Sequence, residues 1–307
     1  MYNIPVLYIV FNRLDTVVKT FDAIKQIQPK EFYIASDGAR IIKEGESEKV
    51  EGVRKYILEH IDWNCNVHTL FRNENVGCKY GPAGAIKWFF DNVEQGIVLE
   101  DDILATPAFF KYCETMLEQY KDADNIGYIC GCTMENCVSV KDDCFLTTVI
   151  DGWGWASWKK EIQDFNPDYA SLCDKKLKNI KCIFRRKEAK KNILELSLKS
   201  AKNEIDAWDY QMADYMAVRG KYSLFPRKPL VRNIGFMLDS THTAVAPAWY
   251  TDKSYDILIS IPDRLLIDEV YTYSYESDFL DKRSFAVRFL SKVTPKWIKM
   301  IYKKIFN

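Results

Sequence analysis

The chain has 307 residues, with 43 Lys and Arg balanced by 43 Asp and Glu. That length can bury the core of one large domain with an appendage, and the charge balance gives nucleic acid no general electrostatic hold. Aromatic residues are abundant, at 18 Tyr, 17 Phe and 8 Trp, which indicates an ordered protein and excludes a mainly disordered one.

In chain order, residues 6–11 (Val-Leu-Tyr-Ile-Val-Phe) read as a buried strand. A helix over 14–27 follows, with Val17, Phe21, Ile24 and Ile27 on one stripe. Residues 32–35 form a second strand. A charged helix over 46–61 turns Val50, Val53, Ile57 and Ile61 inward. Residues 67–71 make a third strand, 83–92 a third helix and 97–99 a fourth strand. Strand and helix alternating at this spacing predict an α/β fold with a doubly wound, mostly parallel sheet flanked by helices. The first strand lacks a Gly-x-Gly-x-x-Gly turn after it, which disfavours an ordinary dinucleotide fold.

The second half is less regular. A helix over 107–120 leads to strands at 126–130 and 145–150, then to the loop Asp151-Gly152-Trp153-Gly154-Trp155-Ala156-Ser157-Trp158. Helices are expected over 173–202 and 206–218, with short strands at 222–224 and 230–231. Residues 1–250 read as one catalytic domain and 251–307 as an appendage.

The most informative run is Ile97-Val98-Leu99-Glu100-Asp101-Asp102, where three carboxylates arrive at a strand's end. Adjacent negative charges repel, so their placement there suggests a divalent cation with oxygen ligands. The alternative is a solvated acidic turn that helps start the next helix. Other polar residues also fall at strand ends, namely Asn12-Arg13, Asp37-Gly38, Arg72-Asn73 and Asn75-Val76-Gly77. In a doubly wound sheet these loops share one edge. Arg13 suits a phosphate and Asp37 a base N–H, although alone each also fits a helix start and a plain turn. Trp153, Gly154 and Trp155 suit a sugar ring over a close backbone, and the same tryptophans, with Trp158, suit a core.

These segments together resemble the GT-A glycosyltransferases. The stretches that carry the likeness are 5–13, Ala35-Ser36-Asp37-Gly38, Val98 to Asp102 with Pro107, Phe109 and Phe110, Gly152-Trp153-Gly154-Trp155, Trp208-Asp209-Tyr210-Gln211, and Asn233-Ile234-Gly235-Phe236 with Thr241-His242. The likeness is greatest to the N-acetylglucosaminyltransferase I branch and its bacterial nucleotide-diphospho-sugar transferase relatives, and spans residues 4–245. The resemblance implies that Glu100-Asp101-Asp102 acts as a DXD-type motif. Asp102 would then ligate Mn2+ or Mg2+, with Glu100 and Asp101 nearer the ribose and donor sugar. It further implies Arg13 on a phosphate, Asp37 on uracil and Asp209 as catalytic base. His242 would be a further metal or phosphate contact, or else a loop histidine with a structural hydrogen bond. Around the base the chain departs from the animal enzyme, having Asp209-Tyr210-Gln211 where that enzyme has two acids and a Trp.

The expected activity is transfer of a sugar from a UDP-sugar to an acceptor hydroxyl, with inversion, in surface polysaccharide or lipid-linked glycan synthesis. A sugar nucleotidyltransferase and a non-catalytic glycan-binding protein on the same fold are the rivals. The nine Cys are odd in number and scattered, and no charged-then-apolar leader precedes Pro5, so the reading is a cytoplasmic protein with free thiols. The spacing of Cys130, Cys132, Cys137 and Cys144 does not match paired zinc ligands. From Lys282 onward there are basic residues and no acid, with Trp297, Ile301 and Ile305 on the other face of a would-be helix. Residues 283–307 thus read as a peripheral contact to the inner face of an anionic membrane, or as a helix docked on the body.

Overall fold

The computed structural model describes residues 1–171, 187–236, 250 and 252–277. Strand and helix alternate as the periodicity predicts: β1 (Val6–Val10), α1 (Leu14–Ile27), β2 (Glu31–Ser36), α2 (Glu46–His60), β3 (Asn66–Phe71), α3 (Gly77–Asn92) and β4 (Gln95–Glu100). The later elements are β5 (Ile103–Ala105), α4 (Pro107–Gln119), β6 (Ile126–Cys130), β7 (Cys144–Thr147), β8 (Trp155–Trp158) and α5 (Lys159–Ile162). They are followed by α6 (Lys187–Ala201), α7 (Asp209–Val218), β9 (Tyr222–Pro226), β10 (Val231–Asn233) and α8 (Glu269–Tyr275). Eight strands form one mixed sheet in the order β3-β2-β1-β4-β8-β6-β9-β7, and β5 pairs with β10 in a separate ribbon. The pairs among β3, β2, β1 and β4 are all parallel, while β8 is antiparallel to both β4 and β6.

Strands β1, β2 and β4 are buried on both faces, as expected of an α/β sheet, while the edge strand β3 is partly exposed. Phe21 from α1, Tyr8, Phe32 and Trp63 pack ring on ring beneath it, with centroids 5.9–6.5 Å apart. Such contacts add about 0.5–1.5 kcal/mol per pair beyond area burial. Gly96 in β4 lies against the Phe89 ring, closer than a side chain there would allow.

Four expectations change. The strand expected at 145–150 runs over Cys144–Thr147. The run around Trp155 is a strand and not a loop, because its backbone fills the slot between β4 and β6, with Val98 and Cys130 both in register with Trp155. Helix α3 begins at Gly77, six residues before the predicted start. The first-turn amides are capped by carboxylates from distant segments, and Pro82 sits inside the helix. The helix expected to begin at 206 begins at Asp209. Of the helix expected over 173–202, residues 173–186 lie outside the described residues. Residues 252–277 are sewn to the body: Tyr255 N–H donates to Pro229 O, Asp256 accepts from Ala108 N–H at the start of α4, and Asp268 N–H donates to Leu146 O.

Candidate active site

The chain runs outward from β1 through β2 to β3 and then crosses back to β4 on the other side of β1. Two crossovers diverging from neighbouring strands leave a crevice at their carboxyl ends, the usual ligand position in such sheets. Phe11-Asn12-Arg13 and Glu100-Asp101-Asp102 face each other there.

The three consecutive carboxylates diverge. Asp101 is 6 % exposed; its Oδ2 accepts from Phe11 N–H at 3.0 Å, and its main-chain oxygen accepts from the Thr20 hydroxyl at 3.1 Å. That hydroxyl lies 2.6 Å from Tyr8 Oη, so β1, α1 and the acidic turn are tied together beneath the crevice. Asp101 therefore holds the turn to β1 and is turned into the fold. Glu100 faces the other way, towards the indole N–H of Trp208, a contact that favours its charged form. Asp102 faces Arg13, with Nη1 to Oδ2 at 3.3 Å, and its Oδ1 is buried without a partner.

The β5–β10 ribbon closes this corner. Asn233 is in register with Ile103, and Ile234 N–H donates to Asp102 O at 2.8 Å. Gly235 N–H then donates to Asn233 Oδ1 at 2.7 Å. A Cβ on Gly235 would run into the Asp102 carboxylate and stand 2.9 Å from Arg13 Nη1. Burial raises all three carboxyls above their ordinary range; Asp102 and Asp101 add to the rise at Glu100, and Asp102 to that at Asp101. For Asp101 and Asp102 the Arg13 guanidinium opposes this most strongly.

Asp37 stands at the end of β2 on the same edge. Its Oδ2 accepts from Val76 N–H at 2.9 Å and Gly77 N–H at 3.1 Å, and its Oδ1 is buried without a partner. Burial raises its carboxyl against the pull of those two amides and of Arg72. Gly38 is forced by the close approach of the Asn73–Glu74 backbone, and Gly38 N–H donates to Glu74 O at 3.1 Å. Arg54 clamps the strand ends from within, donating to Ser36 Oγ at 3.0 Å, Asp37 O at 3.1 Å and Arg72 O at 2.7 Å.

On the far side of Glu100 lies Asp209, the exposed first residue of α7. Its charge helps to raise both Glu100 and Asp151. Asp151, which sequence reasoning passed over as the start of a loop, is pushed up to about 6, first by burial and then by Asp209; the Trp153 N–H that its Oδ1 accepts pulls the other way. Trp153 is half-buried and meets Phe236 and Tyr250 edge-on, with centroids 5.4 and 5.7 Å away. Gly154 has φ +66° and turns the chain into β8 against Val231, Ile103 and Leu99. Its oxygen accepts from Gly131 N–H.

Of the expected site residues, Arg13, Asp37, Glu100, Asp102 and Asp209 therefore come to one edge, with Trp153 at its rim. Trp155 does not: it is 0 % exposed and stacked 4.8 Å from Tyr128, with no face left for a sugar. Trp158 and Trp208 are likewise core residues. Gly154 serves the turn, and Asp101 the fold. His242 lies outside the described residues.

Among the described residues no three His, Cys, Asp or Glu side chains gather as a metal centre. The unpartnered Asp102 Oδ1 still suits a divalent cation, since Mg2+-type sites commonly use one or two carboxylates and complete their shell with substrate phosphates and water. No helix of the described residues is long and apolar enough to cross a membrane.

No protein-family profile matches this chain, and no curated protein does. Among solved structures it is similar to HddC from Yersinia pseudotuberculosis complexed with GMP-PN, at 15% identity over 56% of this chain and 84% of that one, TM-score 0.35. It is similar to the galactosyltransferase LgtC in complex with donor and acceptor sugar analogues, at 8% identity over 69% and 70% of the two chains, TM-score 0.35. The mannosyltransferase PcManGT from Pyrobaculum calidifontis, in complex with GDP-Man and Mn2+, is similar at 13% identity over 72% and 70%, TM-score 0.37.

Proposed function

We propose that this chain is a metal-dependent glycosyltransferase of the GT-A type, moving a sugar from a UDP-sugar to an acceptor hydroxyl with inversion. The observation that carries the reading is a pair of buried, unpartnered carboxylate oxygens on one sheet edge, Asp37 Oδ1 and Asp102 Oδ1, with Arg13 beside the second. A buried acceptor without a donor is costly unless a ligand supplies one. Asp37 Oδ1 suits the N–H of a uracil ring. Asp102 Oδ1 suits a Mn2+ or Mg2+ ion that arrives with the diphosphate, and Arg13 suits a phosphate oxygen. Such an ion, when bound, neutralises charge on the departing diphosphate. Asp209 takes the proton from the attacking hydroxyl, since it lies across Glu100 from the donor corner and is exposed to an acceptor. Direct attack by a base-activated hydroxyl inverts the anomeric centre.

A nucleotidyltransferase would need a glycine-rich phosphate loop after β1, and only Phe11, Asn12 and Arg13 join β1 to α1. The acceptor is a glycan or a lipid-linked glycan, and the basic segment 283–307 suits an anionic membrane surface near such an acceptor. The test is a screen of UDP-sugars for Mn2+-dependent hydrolysis, with UDP binding measured by calorimetry with and without Mn2+. Metal-stimulated UDP binding and turnover of at least one donor is the expected result. Absence of UDP binding under both conditions overturns the reading.

A further inference from the structure

The first turn of α3 serves two distant carboxylates at once. Val76 and Gly77 donate their amides to Asp37 Oδ2, and the next two residues donate theirs to Asp206: Cys78 N–H to Oδ2 at 3.0 Å and Lys79 N–H to Oδ1 at 2.7 Å. A helix's first amides need partners from outside the helix, so each of these four bonds satisfies a group that would otherwise face water. Gly77, at φ +84°, makes the sharing possible, because a Cβ there would stand 2.7 Å from Asp206 Oδ2.

Asp206 precedes Trp208 and Asp209 in the short link between α6 and α7, and that link is fastened to the same turn again. The Lys79 ammonium is 1 % exposed. It donates to Ser200 O at 2.8 Å, Asn203 Oδ1 at 2.7 Å and Asp168 Oδ1 at 2.6 Å. The Ser200 hydroxyl in turn donates to Ala207 O at 2.5 Å and accepts from Gln211 Nε2. The start of α7 therefore takes its place from residues 78 and 79, and the same helix turn holds Asp37 at its other amides.

We infer that Asp206 is a positioning residue: it sets where Trp208 and Asp209 stand relative to the donor corner, acting through the α3 turn it shares with Asp37. The inference rests on the proposed role of Asp209 and adds to it how that carboxylate is placed. Asp206 itself touches no reacting atom. A cap that only stabilised α3 would lower the melting temperature and leave the proton-transfer step alone. A positioning residue lowers turnover at saturating donor while leaving donor affinity in place.

The experiment compares wild type with Asp206→Ala and Asp206→Asn, the second of which keeps one acceptor oxygen. Three quantities are read: UDP affinity with Mn2+, amide hydrogen exchange across residues 204–212, and turnover of whichever UDP-sugar the wild type hydrolyses. In Asp206→Ala, exchange over 204–212 should rise about tenfold and turnover fall about tenfold, the size of a lost cap carried into the transition state, with UDP affinity unchanged within about twofold. Asp206→Asn keeps one accepting oxygen and turns its amide NH2 to the other N–H, so it should lie between wild type and alanine in both. Unchanged exchange in the alanine variant overturns the inference. So does a fall in UDP affinity equal to the fall in turnover, since Asp206 would then serve the donor corner. If Asp206→Ala does not fold, Asp206→Asn is read alone, and wild-type behaviour in all three quantities rules positioning out. A wild type that binds no UDP defeats the proposed function, and the exchange measurement still decides whether Asp206 fastens the start of α7.

Discussion

Arg13 and Asp102 meet at 3.3 Å beyond the carboxyl ends of the paired strands β1 and β4, with 25 % and 14 % of their side chains exposed. The pair is partly buried and uses only one carboxylate oxygen, so Arg13 steadies Asp102 while Oδ1 stays without a partner. Burial raises the Asp102 carboxyl, and the guanidinium beside it works against that rise.

Asp102→Ala should abolish the stimulation of UDP binding by Mn2+. Calorimetric titration of UDP with and without the metal should give two different affinities in wild type and the same affinity in the variant. The apo protein should melt close to wild type, because a half-screened ion pair is worth about 0–1 kcal/mol and one member of a repelling triplet is removed with it. Persistent metal stimulation in the variant would show that the ion sits elsewhere.

Asp209→Asn keeps the shape of the side chain and removes its basicity. Turnover at saturating donor should fall by about 10²–10⁴-fold, the usual contribution of a general base, and UDP affinity should hold. The result that contradicts this role is normal turnover at saturation with weakened donor binding.

Asp151 gives a pH signature. Its folded carboxyl is raised from 3.8 to about 6 by burial, with Asp209 adding to the shift, so the fold prefers it protonated. That preference contributes fully below about pH 4 and is lost as the pH rises through about 6, above which the buried charge is a liability. Asp151→Asn carries no charge and keeps the acceptor for Trp153 N–H. It should therefore be more stable than wild type at pH 8 by roughly 1–2 kcal/mol and equal to it near pH 4. Urea melts at the two pH values read this directly, and an equal gain at both rules the titration out.

Deleting residues 283–307 should weaken co-sedimentation with anionic vesicles and spare turnover on a soluble acceptor analogue. Each Lys or Arg near such a surface adds on the order of 1 kcal/mol, and the binding should fade as salt shortens the Debye length to about 3 Å near 1 M. Equal vesicle binding by the full and shortened chains excludes the tail as the contact.

Much of the parallel half was legible in the order of residues. Apolar runs at β1, β2 and β4 and the inward stripe of α1 follow from local periodicity, and polar residues at the ends of those runs must converge once the strands are parallel. The placement of Arg13, Asp37 and Asp102 on one edge follows from that alone.

Other features depend on partners far away in the chain. Trp153 and Trp155 lie in one Gly-Trp repeat and read alike, yet pairing with β4 and β6 buries Trp155 and leaves Trp153 at the rim. Glu100, Asp101 and Asp102 are three similar charges in a row, and their division of labour comes from Trp208, Phe11 and Arg13, each on a different element. The early start of α3 depends on Asp37 and Asp206, which lie 40 residues before and 127 after the amides they cap. Periodicity reports which face a residue presents to its own element, and it determined strands β1 to β4, the helices between them and the edge at their carboxyl ends. Which carboxylate keeps an unpartnered oxygen, and which tryptophan is buried in the sheet, is decided by long-range hydrogen bonds and strand pairing, and only the folded chain brings those together.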